Sequence, residues 1–512
     1  MRTVIKGATI LAMEGERGSA PFTGDIAIAG TRIAAIGAAL PEAPGDRVID
    51  GRDKLVMPGL INGHMHSSEA LFKGRYDNLP LELWMLYSYP ILGGTPPSER
   101  LIYLRSMLCA IESLRNGVTT VIDDVSEIGG QTLDQLGAVF AAYDDAGIRA
   151  TVSGHIIDRP FIDTVPFAEE LLPAALKARV RAVAPPSVAT YESFCKEAFA
   201  RFQDRAGRLR FMIAPSVPQR CTEALMQAAD ALARAHGSPF HTHILETKVQ
   251  AVTGPVFHGK TLIRYMSDLG LLHGGTTIAH SIWVTDEDIA IMGDAGCAIV
   301  HNAISNQKLG AGIAPLRSLI DSGVTVALGS DGICSNDTPR MFDVMHAAAL
   351  LHSISTPDYA TWISAAEVLQ AATIGGARSA LLDREIGSLA PGKRADLVIL
   401  DMRSAAFTPL NEILNHLVYC ENGSSIETVM VNGDIVVKDG RLTKVNEADL
   451  LAELREAWLA YRPAHIAIEA ANSEFVPAFA EIHRRCTSMD IGINRYGSDR
   501  PAWRGHNQPP AA

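Results

Sequence analysis

Leu60-Ile61-Asn62-Gly63-His64-Met65-His66 begins as an apolar run and closes on two imidazoles. A short apolar run bounded by turn-forming residues reads as a buried strand. Side chains two apart on a strand share a face. His64 and His66 therefore leave the end of this strand on one side, where both can meet a single ion. The same texture recurs in residues 119–123, 149–155, 210–216, 240–246, 276–280, 298–301 and 325–330. Longer stretches of Ala, Leu and charge at helical spacing lie between them, as in 98–116, 132–146, 223–236 and 286–293. Such connections cross back to a parallel neighbour. Eight strand–helix units predict an α/β fold of the TIM-like (β/α)8 barrel type, with its site at the C-terminal ends of the strands. The doubly wound sheet is the rival, but no GxGxxG phosphate loop follows the first strand.

The strand ends are where the chemistry should gather. A His-x-His pair alone carries little weight: the chain has 16 His, and a second pair, His241-Thr242-His243, shows how readily the pattern arises. A solvated pair is the ordinary reading. The fifth run ends in His243-Ile244-Leu245-Glu246, which offers a ligand and a proton carrier to one cavity. An exposed His–Glu pair is the competing reading. The sixth run ends in His280, the seventh in His301 and the eighth in Asp331, which could also be an Asp-Gly turn with Gly332. In a barrel all these side chains converge on one face, which chance placement does not explain.

Composition narrows the function classes. The chain has 512 residues, 47% hydrophobic and 20% charged, the make-up of a globular protein. No apolar run approaches the ~18 residues that span a bilayer, which argues against a membrane partner. A net charge of −12 argues against a nucleic-acid partner. Seven scattered Cys, without any CxxC pair, predict free thiols in a reducing cytoplasm and no thiolate metal site. The opening MRTVIKGATILAMEGERG lacks the apolar core and cleavage site of a secretory signal, so a cytoplasmic location is expected.

The two ends of the chain differ from its middle. Residues 1–57 and 394–445 carry short alternating runs separated by Gly, with a hairpin signal at Asn432-Gly433. They predict a small β-sandwich made from both ends, with the barrel, residues 58–393, inserted between its halves. Residues 446–512 are expected to form a helix over about 447–461 and, after Pro463, an irregular arm that could reach a neighbouring subunit.

The stretch Val56-Met57-Pro58-Gly59-Leu60-Ile61-Asn62-Gly63-His64-Met65-His66 resembles the opening metal motif of the amidohydrolase superfamily. The similarity is to its cytosine deaminase-like branch, with S-adenosylhomocysteine deaminases, guanine deaminases and s-triazine hydrolases of the atrazine chlorohydrolase kind. Later segments match in order, among them His243-Ile244-Leu245-Glu246-Thr247, Ala279-His280, His301-Asn302, Ser305-Asn306 and Leu328-Gly329-Ser330-Asp331-Gly332. The resemblance implies that His64, His66, His243 and Asp331 hold one divalent ion, Zn²⁺ with Fe²⁺ as the alternative. It further implies catalytic roles for Glu246, His280 and Asp331, with His301 near the substrate. Binuclear relatives use a carboxylated Lys at the end of strand four; here Ala214-Pro215-Ser216 stand there, so a single ion is expected.

The activity so implied is hydrolysis of a carbon–nitrogen bond other than a peptide bond, above all deamination of an N-heterocyclic amine. Dechlorination, alkylamine release or urea and amide hydrolysis could use the same site, and a non-catalytic scaffold is the remote alternative. A homodimer is expected by the same resemblance. Two departures stand out: Ala303-Ile304 follow His301-Asn302 where the family commonly has Pro, and Gln307 stands between Asn306 and Lys308.

The substrate is expected to be a small molecule. The aromatic stretch 67–94 suggests a flat one, with Tyr76 and Asn78 as pocket candidates. Trp84 reads more readily as packing that loop on the barrel than as a substrate contact, and His155 could equally be a hydrogen-bonded core residue. Arg75, Arg159 and Arg340 leave room for an acidic group on the substrate.

Overall fold

The computed structural model describes residues 2–15 and 18–498. Eight apolar runs become parallel strands: Leu60–His66, Val118–Asp123, Arg149–Ile156, Leu209–Pro215, Phe240–Ile244, Thr276–His280, Ala298–His301 and Thr325–Leu328. Each pairs with the next in order. Thr325–Leu328 pairs with the seventh strand, and Asp331–Gly332 beyond it pairs in parallel with Met65 and His66 of the first. The eighth segment thus touches both edges of the sheet and curls it into the TIM-like arrangement. The strands are buried along nearly their whole length, as parallel strands covered by helices must be.

The crossover helices begin where their sequences predict. Thr132, Thr222, Thr247 and Thr285 each accept a hydrogen bond from the third residue of the helix that follows, satisfying an otherwise orphaned N–H. Gly147, Gly237, Gly259 and Gly296 close those helices in the left-handed conformation.

The chain ends form a second nine-stranded sheet. Leu397–Asp401 pairs antiparallel with Lys54–Pro58, which joins the C-terminal strands to the N-terminal ones. Lys54–Pro58 is a strand that the sequence reading took only as the lead-in to the His64 motif; it runs almost directly into Leu60–His66. The expected hairpin at Asn432-Gly433 is present, between Ile426–Val431 and Asp434–Lys438. A buried ion pair ties sheet to barrel: Arg149, at the start of the third barrel strand, donates from Nε and Nη2 to Asp396 at 2.7 and 3.1 Å.

After residue 446 the structure departs from expectation. The helix does not stop near Pro463 but runs from Glu447 to Asn472, and a further helix covers Val476–Ser488. Proline removes one helical hydrogen bond, yet packing beyond it holds the helix: His465 stacks on Phe72 with ring centroids 4.1 Å apart, and Ile468 is buried. Up to residue 498 this segment folds back over the mouth of its own barrel, where Arg495 donates to the Val284 carbonyl and Tyr496 meets Trp283. The prolines at 501, 509 and 510 lie outside the described residues. Among the described residues, all seven cysteines are free, and no helix is long and apolar enough to cross a membrane.

Candidate metal centre and cavity

Four side chains from strand ends converge at the barrel mouth. His64 Nε2 and His66 Nε2 each lie 3.3 Å from Asp331 Oδ1, and His243 Nε2 lies 3.3 Å from His66 Nε2. All four residues are buried. His64, His66 and His243 offer ligand atoms within 4.8 Å of one another, as do His64, His280 and Asp331.

Hydrogen bonds behind the rings decide which nitrogens face inward. His66 Nδ1 is 2.6 Å from the Asp124 carbonyl, and His243 Nδ1 is 2.8 Å from the Ser216 carbonyl. A carbonyl only accepts, so each ring carries its proton on Nδ1 and turns a lone pair inward. At 3.3 Å the two inward nitrogens are close enough to share a proton or a cation between them. His64 Nε2 is buried without a hydrogen-bond partner. Orphaned, converging imidazole lone pairs beside a carboxylate fit a divalent ion of the borderline type.

The backbone is strained where these groups turn inward. Leu245, His280 and Asp331 have φ of 56°, 76° and 63°, a left-handed conformation that costs a non-glycine residue about 1–3 kcal/mol. It occurs at the ends of strands five, six and eight, where each chain must turn sharply. The conformation at Asp331 accompanies a carboxylate that faces the imidazoles, and Ser305 Oγ donates to its other oxygen at 2.6 Å. Burial opposes ionisation of Asp331, but His280, His64 and His66 outweigh it and hold the carboxyl well below the usual range.

Glu246 and His280 stand beside this cluster, with His280 Nε2 at 3.7 Å from Glu246 Oε2 and 3.9 Å from Asp331 Oδ2. The Asn306 side-chain oxygen, 3.0 Å away, holds His280 Nδ1. Burial lowers His280 to about 4, keeping it neutral. Burial, reinforced by the charge of Asp331, pushes the Glu246 carboxyl well above the usual carboxylate range. Two carboxyls whose proton affinities are pushed in opposite directions thus sit side by side, the arrangement that separates a proton donor from a proton acceptor.

The cavity over these groups has a volume of about 100 Å³ and is walled by Leu81, Trp84, Met85, Phe161, Val249 and Leu309. Trp84 and His155 are among its lining residues; His155 Nδ1 is held by Asp124 Oδ2 at 3.1 Å. Three other candidates are not among its lining residues. The Tyr76 hydroxyl donates to Glu469 and lies 2.8 Å from His465 Nε2, so it anchors the C-terminal helix. Asn78 is exposed and bonded to Asp77. His301 is buried with its Nε2 at 3.1 Å from His352 Nε2. The 303–308 loop, where the sequence departs from the family pattern, forms a short helix whose Ser305 and Asn306 support Asp331 and His280.

Sequence reading missed Glu69, Glu82 and His241. Glu69 lines the cavity, accepts from Tyr89 at 2.6 Å, and is raised by burial to about 7. It lies so close to Gly332 that a Cβ there would come within 1.8 Å of its carboxylate. Glu82 accepts from Thr247 and from His483 of the C-terminal helix. His241, set aside above as a chance pair with His243, places Nε2 2.8 Å from His64 Nδ1. Its only early signal was its place two residues before His243.

The chain is thus a parallel barrel whose strand ends bring together histidines and an aspartate able to hold a metal ion. The model of the Amidohydrolase family matches residues 55–436, and the chain belongs to that family. It is 31% identical over 455 residues to the 5'-deoxyadenosine deaminase of Methanosarcina mazei, covering 89% of this chain and 97% of that protein. It is likewise 31% identical over 447 residues to the 5-methylthioadenosine/S-adenosylhomocysteine deaminase of Caldanaerobacter subterraneus subsp. tengcongensis, covering 87% of this chain and 95% of that one. Among solved structures, a zinc-bound adenosine deaminase from Xanthomonas campestris superposes with a TM-score of 0.78 at 26% identity, covering 90% of this chain and 98% of that one. Atrazine chlorohydrolase from Arthrobacter aurescens TC1 shares the fold, with a TM-score of 0.79 at 24% identity over 89% of this chain and all of that one.

Proposed function

We propose that the chain is a metal-dependent aminohydrolase that removes an amino group from a nitrogen heterocycle of the adenine type. One observation carries the reading: His64, His66, His243 and Asp331 converge beside Glu246 and His280 at the floor of an apolar cavity. The names of the relatives, deaminases of adenosine derivatives, support the choice of amine. His64, His66 and His243 would hold one Zn²⁺ through Nε2, together with the Asp331 carboxylate. Bound there, the ion supplies water of lowered pKa and a positive field for charge that builds on the substrate.

The chain's own groups do the rest. Asp331 takes the proton of the attacking water as its oxygen bonds to the amino-bearing carbon. Glu246 delivers a proton to the adjacent ring nitrogen, which absorbs the electron pair displaced from the ring. His280, fixed by Asn306, orients the water. The proton gained by Asp331 then passes to the amino group, the carbon–nitrogen bond breaks and ammonia leaves, while the remaining hydroxyl proton returns to the Glu246 carboxylate, so the ring keeps an oxo group and both carboxyls are restored. Trp84 and Phe161 offer faces against which a flat ring can stack.

Ammonia release from adenosine, 5'-deoxyadenosine, 5'-methylthioadenosine, guanine and an amino-s-triazine tests the reading. Release from a purine is expected with about one ion per chain, and both are lost in His243→Ala. Full turnover by metal-stripped protein would overturn it.

The same reading extends to organisation. We take the two-ended sheet as a small β-sandwich, supported by a buried cluster that includes Ile5, Ile26, Val56, Leu397 and Met430. Its proposed bounds are 1–57 and 394–445, with the barrel over 58–393 and the C-terminal segment over 446–512. A homodimer in the cytoplasm fits the exposed apolar side chains of Leu350, Ile354, Tyr359 and Trp362, which cluster in one stretch. Light scattering of the purified protein measures the oligomeric state.

A further inference from the structure

The helix Val476–Ser488 lies beyond residue 436, where the family match ends. It packs on two helices that border the cavity over the metal centre, Leu81–Ser88 and Lys248–His258. Phe479, Ile482 and Cys486 are fully buried in one cluster with Leu86 of the first helix and Val249 and Val252 of the second. A segment outside the family match thus reaches the wall of the reaction cavity.

Polar contacts cross the same junction. Glu82, in the first turn of Leu81–Ser88, is buried and lines the cavity. Its Oε1 accepts from the Thr247 hydroxyl at 2.5 Å, and its Oε2 lies 3.1 Å from His483 Nδ1. Burial opposes ionisation of Glu82, but His483 and Thr247 outweigh it and hold the carboxyl below its usual range. A carboxylate only accepts, so Thr247 and His483 both donate to it. Hydrogen bonds to an ionised group are the stronger kind.

Thr247 directly follows Glu246. Its hydroxyl also accepts the Gln250 N–H at 3.4 Å, and the Gln250 side-chain oxygen accepts the Glu246 N–H at 3.0 Å. Leu245, on the other side of Glu246, has the left-handed φ of 56°. Such a conformation persists only where its surroundings over-determine it. The bonds through Thr247 and Gln250 supply that constraint, and the first of them leads through Glu82 to His483.

We propose that His483 is a positioning residue: through Glu82 and Thr247 it fixes the turn that aims Glu246 at the substrate, so the C-terminal helix completes the active site of its own chain. The role of Glu246 rests on the aminohydrolase reading; the clamp on its turn does not.

Four variants of the zinc-loaded full chain test this: His483→Ala, His483→Asn, Glu82→Ala and the double variant His483→Ala with Glu82→Ala. The helix keeps other anchors, since Lys248 Nζ donates to the Thr487 carbonyl at 3.0 Å and Phe479 and Ile482 are buried, so His483→Ala should stay folded. Hydrogen exchange reads the clamp. Amides of residues 245–250 should exchange about tenfold faster in His483→Ala, and near the parent rate in His483→Asn, whose side-chain amide can donate in place of Nδ1. Turnover reads its purpose. Misplacing a catalytic group by about 1 Å can cost about 100-fold in rate, so kcat for ammonia release should fall about tenfold or more in His483→Ala. Zinc content and KM should stay at the parent values, and His483→Asn should restore most of the rate. Glu82→Ala should reproduce both losses, and the double variant should lose little more, because both residues act along one chain of contacts. Where Glu82→Ala does not fold, the two His483 variants decide. Faster exchange confined to residues 476–488, unchanged kcat in His483→Ala, or losses that add in the double variant would overturn the proposal. Should the parent release no ammonia from any purine, the aminohydrolase reading fails by itself, and exchange of residues 245–250 still decides the clamp.

Discussion

His241 never reaches the cavity, yet its Nε2 faces His64 Nδ1 at 2.8 Å and so influences which nitrogen of His64 turns inward. Burial lowers His241 to about 3, so it stays neutral and can accept the His64 proton. Supporting residues of this kind typically change metal affinity by about 10–100-fold. His241→Leu is expected to weaken zinc binding by that factor, measured by chelator competition, with the circular dichroism spectrum unchanged. Glu246→Gln makes the opposite separation. It should bind zinc as the parent does, because Glu246 is not among the four converging groups, while kcat falls by about a hundredfold or more. Unchanged turnover would remove Glu246 from proton transfer.

The helix Glu447–Asn472 and the loop that follows the first barrel strand hold each other in place. Glu469 accepts hydrogen bonds from Arg75 and Tyr76 of the loop and lies 3.2 Å from His465 on its own helix. Burial alone would raise this carboxyl, but Arg75, His465 and Tyr76 outweigh it and hold it well below the usual range. A carboxylate depressed in the folded state adds stability above its unfolded pKa of about 4.3, and that stability is lost as the pH falls through the folded value. Solvent screens the contact, so the contribution is at most about 1 kcal/mol. Glu469→Gln should therefore lower Tm at pH 7 and narrow the gap to the parent as the pH drops below 4, measured by thermal melts across pH. The same loop carries Trp84 and Tyr89 to the cavity, so KM should rise with the loosened helix.

The whole molecule depends on contacts between segments far apart in sequence. Arg149 and Asp396, 247 residues apart, are both buried, and Asp396 also accepts the Asn432 N–H at 2.7 Å. Removing one partner of a buried pair leaves a charge uncompensated, at a cost of about 3–5 kcal/mol. Asp396→Ala is expected to destabilise the first urea-unfolding transition by that amount, and Asp396→Ala with Arg149→Met should recover part of it. The C-terminal segment is a second such contact, since His483 lies 3.1 Å from Glu82 in the cavity wall.

Much of this architecture was legible along the chain. Strand period, Gly and Thr punctuation, and polar residues at strand ends are local signals, and all eight barrel strands appear within a few residues of where those signals place them. His64, His66, His243, Glu246, His280 and Asp331 belong to that readable set, because a barrel sends successive strand ends to one face whatever lies between them. Other features depend on partners that periodicity does not encode. Tyr76 and Glu469 are 393 residues apart, and nothing local turns that ring away from the cavity. Pro463 reads as a helix end, but the surface that keeps the helix going comes from Phe72 and its neighbours. Glu69 and Arg220 look like ordinary charges in the chain. Their meaning arises only when folding removes water from Glu69 and stacks Arg220 on Phe161 beside the cavity, because the strength of a charge depends on the medium and the groups that close around it.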